Sequence, residues 1–474
     1  VVLWIVVCLL PSTAVLSAAV PHYTVTVPEH LDSLTVRACF SGSLPNRLST
    51  RNERAPGLLR HARLHRQNTV VELRPKALSL LLEHDGDSGC VVYRVDLNAI
   101  GQENWRSGHW RVKDAVILDP DLWLWIPDTS HAGQQLRLDF ELPPGYDVSA
   151  PWKRIGRSGQ MVTFEVRERM PEWEARMAIG RFDVEAIDMP GGQLRYALLA
   201  GEPAVDTVAI RNWITSGARA LVSTYGRLPV ADVQLLVVPI GRGGEPVPWG
   251  EVQRSGGDAV HLYIDQRQSK DAFMDDWVLV HELGHLLHPY IDSRDRWLSE
   301  GLASYYQNVL RARIGLISSA SAWNKLHAGF ERGLRGTPSG RSLAEVSESM
   351  MRDRAFMRVY WSGAAVALLA DVELRKRSDG QQSLDTALKA LQTCCLPADR
   401  SWSARELMQR LDQLTETSVF MDLYKQHVNS DEFPDLSTVY AELGLKRVSR
   451  TRVDFDPKAS AAVIRSAIMT VPEG

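Results

Sequence analysis

His281-Glu282-Leu283-Gly284-His285, followed by Trp297-Leu298-Ser299-Glu300-Gly301, is the stretch on which the reading of the chain turns. Its first segment has the form H-E-x-x-H. On a helix, residues four apart share a face, with Cβ atoms roughly 5–6 Å apart. Two imidazoles at that spacing can hold one zinc ion, and the glutamate between them can act on water at the metal. The flanks favour a helix. Trp277-Val278-Leu279-Val280 leads in, Leu286-Leu287 follow, and Pro289 marks the expected end. A tetrahedral zinc still lacks one protein ligand before its water. Glu300, at the head of a helix expected over 301–313, is the candidate.

Other third ligands are weaker. His288 lies on nearly the same face as His285, and three side chains from one straight helix converge poorly on a tetrahedral ion. It also fills the glycine position of the H-E-x-x-H-x-x-G-x-x-H arrangement, which is therefore absent. Asp292 and Asp295 fall in a polar loop and read as solvated. Gly284 costs about 1 kcal/mol in a helix relative to alanine. Close packing beneath the metal would explain it, and so would a neutral accident.

Each residue then has a chemical role. His281 and His285 offer neutral nitrogens, Glu300 offers a carboxylate oxygen, and one Zn2+ per chain is expected. Zinc acidifies water and polarises a scissile carbonyl. Glu282 is placed to take the water's proton and pass it to a leaving amine. A peptide is the expected substrate.

The remaining composition excludes several classes. The 474 residues are 45% hydrophobic and 23% charged, ordinary for a soluble globular protein of two to four domains. Net charge is −3 with both signs mixed, so no basic tract points to nucleic acid. Residues 1–10 are almost wholly apolar, Pro11-Ser12-Thr13 breaks the run, and Ser17-Ala18-Ala19 supplies small residues. This reads as a signal peptide over 1–19 and predicts an exported protein, periplasmic or secreted. The apolar run is about half of the roughly 20 residues a spanning helix needs, so no stable membrane insertion is expected after cleavage. Of the five cysteines, Cys39 and Cys90 sit in strand-like runs and could staple the first domain. Cys394 and Cys395 are adjacent and are not expected to bond each other without strain. No C-x-x-C pair suggests a metal role for cysteine.

The fold class expected is α+β with several domains. Over 20–182, alternating runs such as Tyr23-Thr24-Val25-Thr26-Val27 and Val91-Val92-Tyr93-Arg94-Val95 predict a β-sandwich or saddle-like domain. Trp105, Trp110, Trp123 and Trp125 read as core packing rather than a stacking patch. Gly180-Arg181-Phe182 is the expected hinge. Strands and helices then mix over 183–320, the candidate catalytic domain. Residues 321–450 are mostly helical, and 451–474 form a tail.

His281 to His285, with Trp297-Leu298-Ser299-Glu300-Gly301-Leu302-Ala303-Ser304-Tyr305-Tyr306, resembles the glycyl aminopeptidase family of gluzincin metallopeptidases. So do Arg311-Ala312-Arg313-Ile314-Gly315-Leu316, Tyr360-Trp361-Ser362-Gly363-Ala364 and Tyr225-Gly226-Arg227-Leu228-Pro229. The likeness covers roughly 180–445. It implies an N-terminal β domain, a thermolysin-like catalytic domain and a C-terminal helical domain. It also implies that Tyr360 donates a hydrogen bond to the tetrahedral oxyanion, as the tyrosine of a Tyr-x-Lys-Gly segment does in related aminopeptidases. Read without the family, Tyr360 is a packing residue near a helix start.

Four departures stand out. The gap between His285 and Glu300 is shorter than in aminopeptidase N relatives. Ser362 replaces the lysine beside Tyr360. The acid that binds the substrate's free amine in those relatives has no clean counterpart in the Gly-rich 241–251 stretch. Glu245 and Glu251 are the candidates, each reading otherwise as a solvated loop acid. Many family members also end in a PDZ domain, and the short tail after Leu445 predicts none. The expected activity is that of an aminopeptidase on small or unstructured peptides. Its rivals are an endopeptidase with the same metal site and a non-catalytic peptide-binding protein on a peptidase fold.

Overall fold

Alternation of apolar and polar residues turns Leu34, Val36, Ala38 and Phe40 of the strand Ser33–Phe40 inward, and Thr35 and Arg37 outward. The computed structural model describes residues 20–42, 44–83, 88–100, 109–127, 135–166, 176–241, 243–254, 257–397 and 400–472. The segment 1–19 and Trp105 lie outside them. The chain divides into two units. One comprises 1–99, 121–142 and 154–168, and the other 100–120, 143–153 and 169–474.

The first unit is built on an eight-stranded sheet in the order Lys153–Ser158, Met161–Val166, Leu136–Glu141, His22–Thr26, Ser33–Phe40, Gly89–Asp96, Leu59–Arg66, Thr69–Glu72. Cys39 lies opposite Cys90 in register, and the two are bonded. Trp123 and Trp125 are fully buried, their carbonyls accepting from the Tyr93 and Tyr23 hydroxyls. They are core residues.

The boundary expected near 182 is interleaved instead. Met177–Gly180 pairs with Ala115–Leu118 and with Asp147–Ser149, forming a small sheet that belongs to the second unit. Gly180 is therefore a strand residue and not a hinge. A Cβ there would come within 2.4 Å of the Asp114 carbonyl. Alternation identifies strands but carries no information about which distant segment they pair with.

The second unit holds the main α+β layers. The five strands of its largest sheet are β1 (Val184–Met189), β2 (Gly192–Leu198), β3 (Asp232–Pro239), β4 (Trp249–Gln253) and β5 (Asp258–Ile264), in the order β1-β2-β3-β5-β4. β2, β3 and β5 are parallel, whereas β1 and β4 run antiparallel to their neighbours, leaving β4 at an edge. One face packs Leu236, Val238 and Tyr263 against Trp110 and Ile117 of the small sheet. The other face packs Leu235, Val237, Val260 and Leu262 into a core shared with the helices. These begin with α1 (Thr207–Val222), capped by Asp206, whose carboxylate accepts from the Ala209 N–H. Then come α2 (Lys270–Asp275), α3 (Val278–Gly284), α4 (Arg296–Arg313), α5 (Ser319–Arg335) and α6 (Phe356–Arg377). Shorter helices follow, among them Leu384–Ala390, Ala404–Thr415 and Val419–His427.

Three local expectations change. α4 begins at Arg296, so Glu300 sits in its second turn rather than at its head. Asp295 is half-buried rather than solvated, and its carboxylate accepts from the Ala404 N–H at 2.8 Å. The adjacent Cys394 and Cys395 are bonded, following the short turn Leu391–Thr393. Among the described residues no helix is long and apolar enough to cross a membrane.

Candidate metal centre

α3 is short and every one of its residues is buried. A 3-10 turn over His285–Leu287 continues it and keeps His281 and His285 on one side, their rings 5.0 Å apart and nearly perpendicular. α4 crosses beside them and presents Glu300. Its Oε2 lies 3.2 Å from His281 Nε2 and 3.6 Å from His285 Nε2. One ligand atom from each of the three lies within 4.8 Å of the others. Two imidazole nitrogens and one carboxylate oxygen, largely shielded from water, fit zinc and leave a fourth position for water or substrate.

The nitrogens turned away from this point are held by other groups. His281 Nδ1 lies 2.8 Å from Gln307 Oε1, and His285 Nδ1 lies 3.1 Å from Ser299 Oγ. Such bonds fix the ring and direct the other nitrogen to a metal. His288 is drawn elsewhere, its Nδ1 2.7 Å from the Pro289 carbonyl, and burial pushes it down to about 3. Burial also holds His285 well below its ordinary range, in the neutral form that a ligand requires. His281 is pulled both ways. Burial is the largest influence and lowers it, but the Glu300 and Glu282 carboxylates outweigh that, so its net shift is upward.

Glu282 is buried, and burial pushes its carboxyl up to about 8, with Glu300 and Glu251 adding to the rise against His281. The edge strand β4 passes over it at Gly250. A Cβ on Gly250 would approach Glu282 Cγ to 2.7 Å and Oε1 to 2.9 Å, so glycine leaves room for the carboxylate. Tyr360 of α6 stacks on the His281 ring at 6.0 Å, and its hydroxyl reaches the Glu300 carboxylate. Burial, reinforced by both glutamates, raises its pKa, and it stays a phenol able to donate.

Two glycines set that approach. Across the α4–α6 crossing, a Cβ on Gly301 would meet the Gly363 backbone at 2.3 Å, and one on Gly363 would meet the Trp297 carbonyl at 1.8 Å. Only backbone fits between the helices there, which brings Tyr360 to Glu300. Gly284, by contrast, faces open contact, with the nearest atom to an added Cβ 3.6 Å away. Packing beneath the metal does not require it.

The two acids considered for amine binding are placed differently. Glu251 is not a loop acid. It lies on β4, one position from Gly250, so its side chain leaves by the opposite face of the sheet. There it bonds Arg176 and the Tyr263 hydroxyl, and it lies near His261. Glu245 is exposed and acts electrostatically on Asp276.

Sequence reasoning gave no role to Gln307, Gly250 or Arg254. Arg254 is buried and donates to the carbonyls of His285 and, at 2.8 Å, of His288, where the turn after α3 runs out of helical partners. Gln307 had a signal. It lies two turns beyond Glu300 on α4 and so shares its face.

No family model matches the sequence, and no curated protein matches it either. Solved structures do share its fold. An aminopeptidase N family protein from Idiomarina loihiensis is 16% identical, with a TM-score of 0.67 over 90% of this chain and 78% of its own. An M1 zinc metallopeptidase from Deinococcus radiodurans is 17% identical, with a TM-score of 0.51, over 88% of this chain and 94% of its own. A variant of an M1 zinc metallopeptidase from Deinococcus radiodurans, bound to Tyr-Ser-Ala, is 14% identical with a TM-score of 0.52 over 88% and 94%. The architecture is thus that of the M1 zinc metallopeptidases, α+β with sheet-rich N-terminal parts and a helical C-terminal region.

Proposed function

We propose that this chain is a zinc-dependent peptidase that removes N-terminal residues from small or unstructured peptides. The observation that carries the reading is the convergence of His281, His285 and Glu300 within 4.8 Å, with Glu282 and Tyr360 beside them. Zinc bound there would supply a Lewis acid for the substrate carbonyl and would acidify the attacking water. Glu282 takes a proton from that water and returns it to the leaving amine, and its raised proton affinity suits it to hold the proton between the two events. Tyr360 donates to the oxygen that gains charge as the carbonyl becomes tetrahedral, a contribution on the order of 3 kcal/mol. β4 offers main-chain groups along its edge to an extended peptide.

The aminopeptidase assignment rests on the glycyl aminopeptidase resemblance and on the neighbours' bound ligands, Tyr-Ser-Ala in one and L-arginine in another. Export belongs to the same proposal, supported by the apolar 1–10 run and the Cys39–Cys90 pair. A second reading, an endopeptidase, is favoured by one observation. Glu251 is engaged by Arg176 rather than left free for an amine.

The test compares free-amine with N-acetylated peptides. Acetylation should abolish turnover, and equal rates on both would overturn the aminopeptidase reading in favour of the endopeptidase. Glu282→Gln should retain zinc, measured by elemental analysis, and lose turnover by several orders of magnitude. Retained turnover would remove Glu282 from the role of base.

A further inference from the structure

Beside Tyr360 lies a cavity of about 320 Å³, walled by α4, α5 and α6 and by Trp277 just before α3. It adjoins the centre through three residues. Tyr360 stacks on His281, Trp277 meets the same ring edge-on at 5.3 Å, and Gln307 holds that ring's Nδ1.

The cavity's charged groups are all of one sign. Arg311, Lys325 and Arg332 line it, and no carboxylate does so among the described lining residues. Arg311 is 1% exposed and bonds Asp275 through one terminal nitrogen, leaving its Nε–H without an acceptor. Asn308 is 2% exposed, and its Nδ2 also has no acceptor. Lys325 and Arg332 pair with no carboxylate among the described residues, and Arg332 lies 5.0 Å over the Trp361 ring. Buried donors lacking acceptors are unfavourable until something supplies one. An anion is what this set of groups lacks, and the aromatic wall suits an apolar body attached to it.

We propose that this cavity is a carboxylate subsite of the substrate. Arg311, Lys325 and Arg332 supply the charge, and Asn308 supplies a directed hydrogen bond. The proposal deepens the peptidase reading and rests on it. Two sources share the chemistry, namely the C-terminal carboxylate of a short peptide and the side chain of Asp or Glu.

Three probes separate them, measured by calorimetry on the chelator-stripped protein so that turnover does not interfere. Ala-Ala-Gln as the free acid carries only the terminal carboxylate. Ala-Ala-Glu amide carries only the side-chain one, and Ala-Ala-Gln amide carries neither. One or both anionic probes should bind about tenfold tighter than the neutral one, and whichever does so names the source. The Lys325→Gln, Arg332→Gln double variant alters only exposed side chains and should bring that preference towards unity. Lys325→Glu should reverse it. Equal or absent binding of all three probes, or a preference unchanged in the double variant, overturns the proposal. Failure of the peptidase reading looks different, because the anionic preference would then persist in a zinc-loaded protein that hydrolyses nothing.

Discussion

At the scale of single residues, the candidate metal site was legible because its pattern is local. His281 and His285 are four apart, and their shared face follows from helix geometry alone. Gln307 and Ser299 were not legible as their partners, because each meets its imidazole only after α4 crosses α3. The prediction for Gln307→Leu follows from that contact. The His281 ring loses the group that orients it, and zinc affinity should fall about 10–100-fold with the fold intact. Competition against a chelator of known affinity measures it, and unchanged affinity would show that Gln307 does not orient the ring, which Tyr360 and Trp277 both flank. Asp276 makes a second prediction. Its Oδ1 accepts from the Val278 N–H at 2.7 Å at the start of α3. Burial, with added repulsion from Glu245 and Asp275, pushes it from 3.8 up to about 7. The folded chain keeps that proton where the unfolded chain has lost it, so stability falls as pH rises from about 4 to about 7 and the loss is complete above. Asp276→Asn preserves the acceptor and cannot ionise. Its melting temperature should gain on the parent's through that window and stay level beyond it. A difference that is the same at pH 4 and pH 8 would refute the assignment.

At the scale of elements, helices and strands were readable as isolated pieces, and their contacts were not. α4 and α6 were both expected, yet nothing in either sequence says that Gly301 and Gly363 are where they cross. Gly284, the glycine that did attract attention, has room to spare. The contrast gives a paired prediction. Gly301→Ala sets a methyl 2.3 Å from backbone of α6, which cannot swing aside as a side chain can. The helices must separate, at about 1–3 kcal/mol or more, and Tyr360 must move from Glu300. Gly284→Ala adds a methyl in ordinary contact and should stabilise by up to about 1 kcal/mol through helix propensity. Denaturant midpoints and turnover, read together, test both. If Gly301→Ala keeps full stability and activity, the crossing does not position the tyrosine.

At the scale of the whole molecule, the expected division at 320 between catalytic and helical parts meets a continuous core. Buried residues run from Ile187 through Trp297 and Leu368 to Met469 in one cluster. A buried ionic network spans the same place. Arg313, on the helix that carries Glu300, pairs with Asp385 at 2.8 Å. Tyr306 donates to the same aspartate, and Tyr305 donates to Asp371, which Arg375 also holds. Charge pattern on a sequence cannot reveal this, since each residue read alone is an ordinary surface acid or base. Removing one partner of such a network strands a buried charge, at a cost of about 3–5 kcal/mol. Asp385→Ala should therefore destabilise the entire second unit by that amount, not loosen the helices alone. Because α4 is both the ligand-bearing helix and a network member, zinc should leave in the same urea transition that unfolds the helical part. Release of zinc and loss of helical circular dichroism, followed in one titration, should coincide in the parent and shift together in the variant. Separate transitions, with zinc still bound after the helical signal has gone, would mean that the centre stands on β4, β5 and α3 without support from the helices beyond α4.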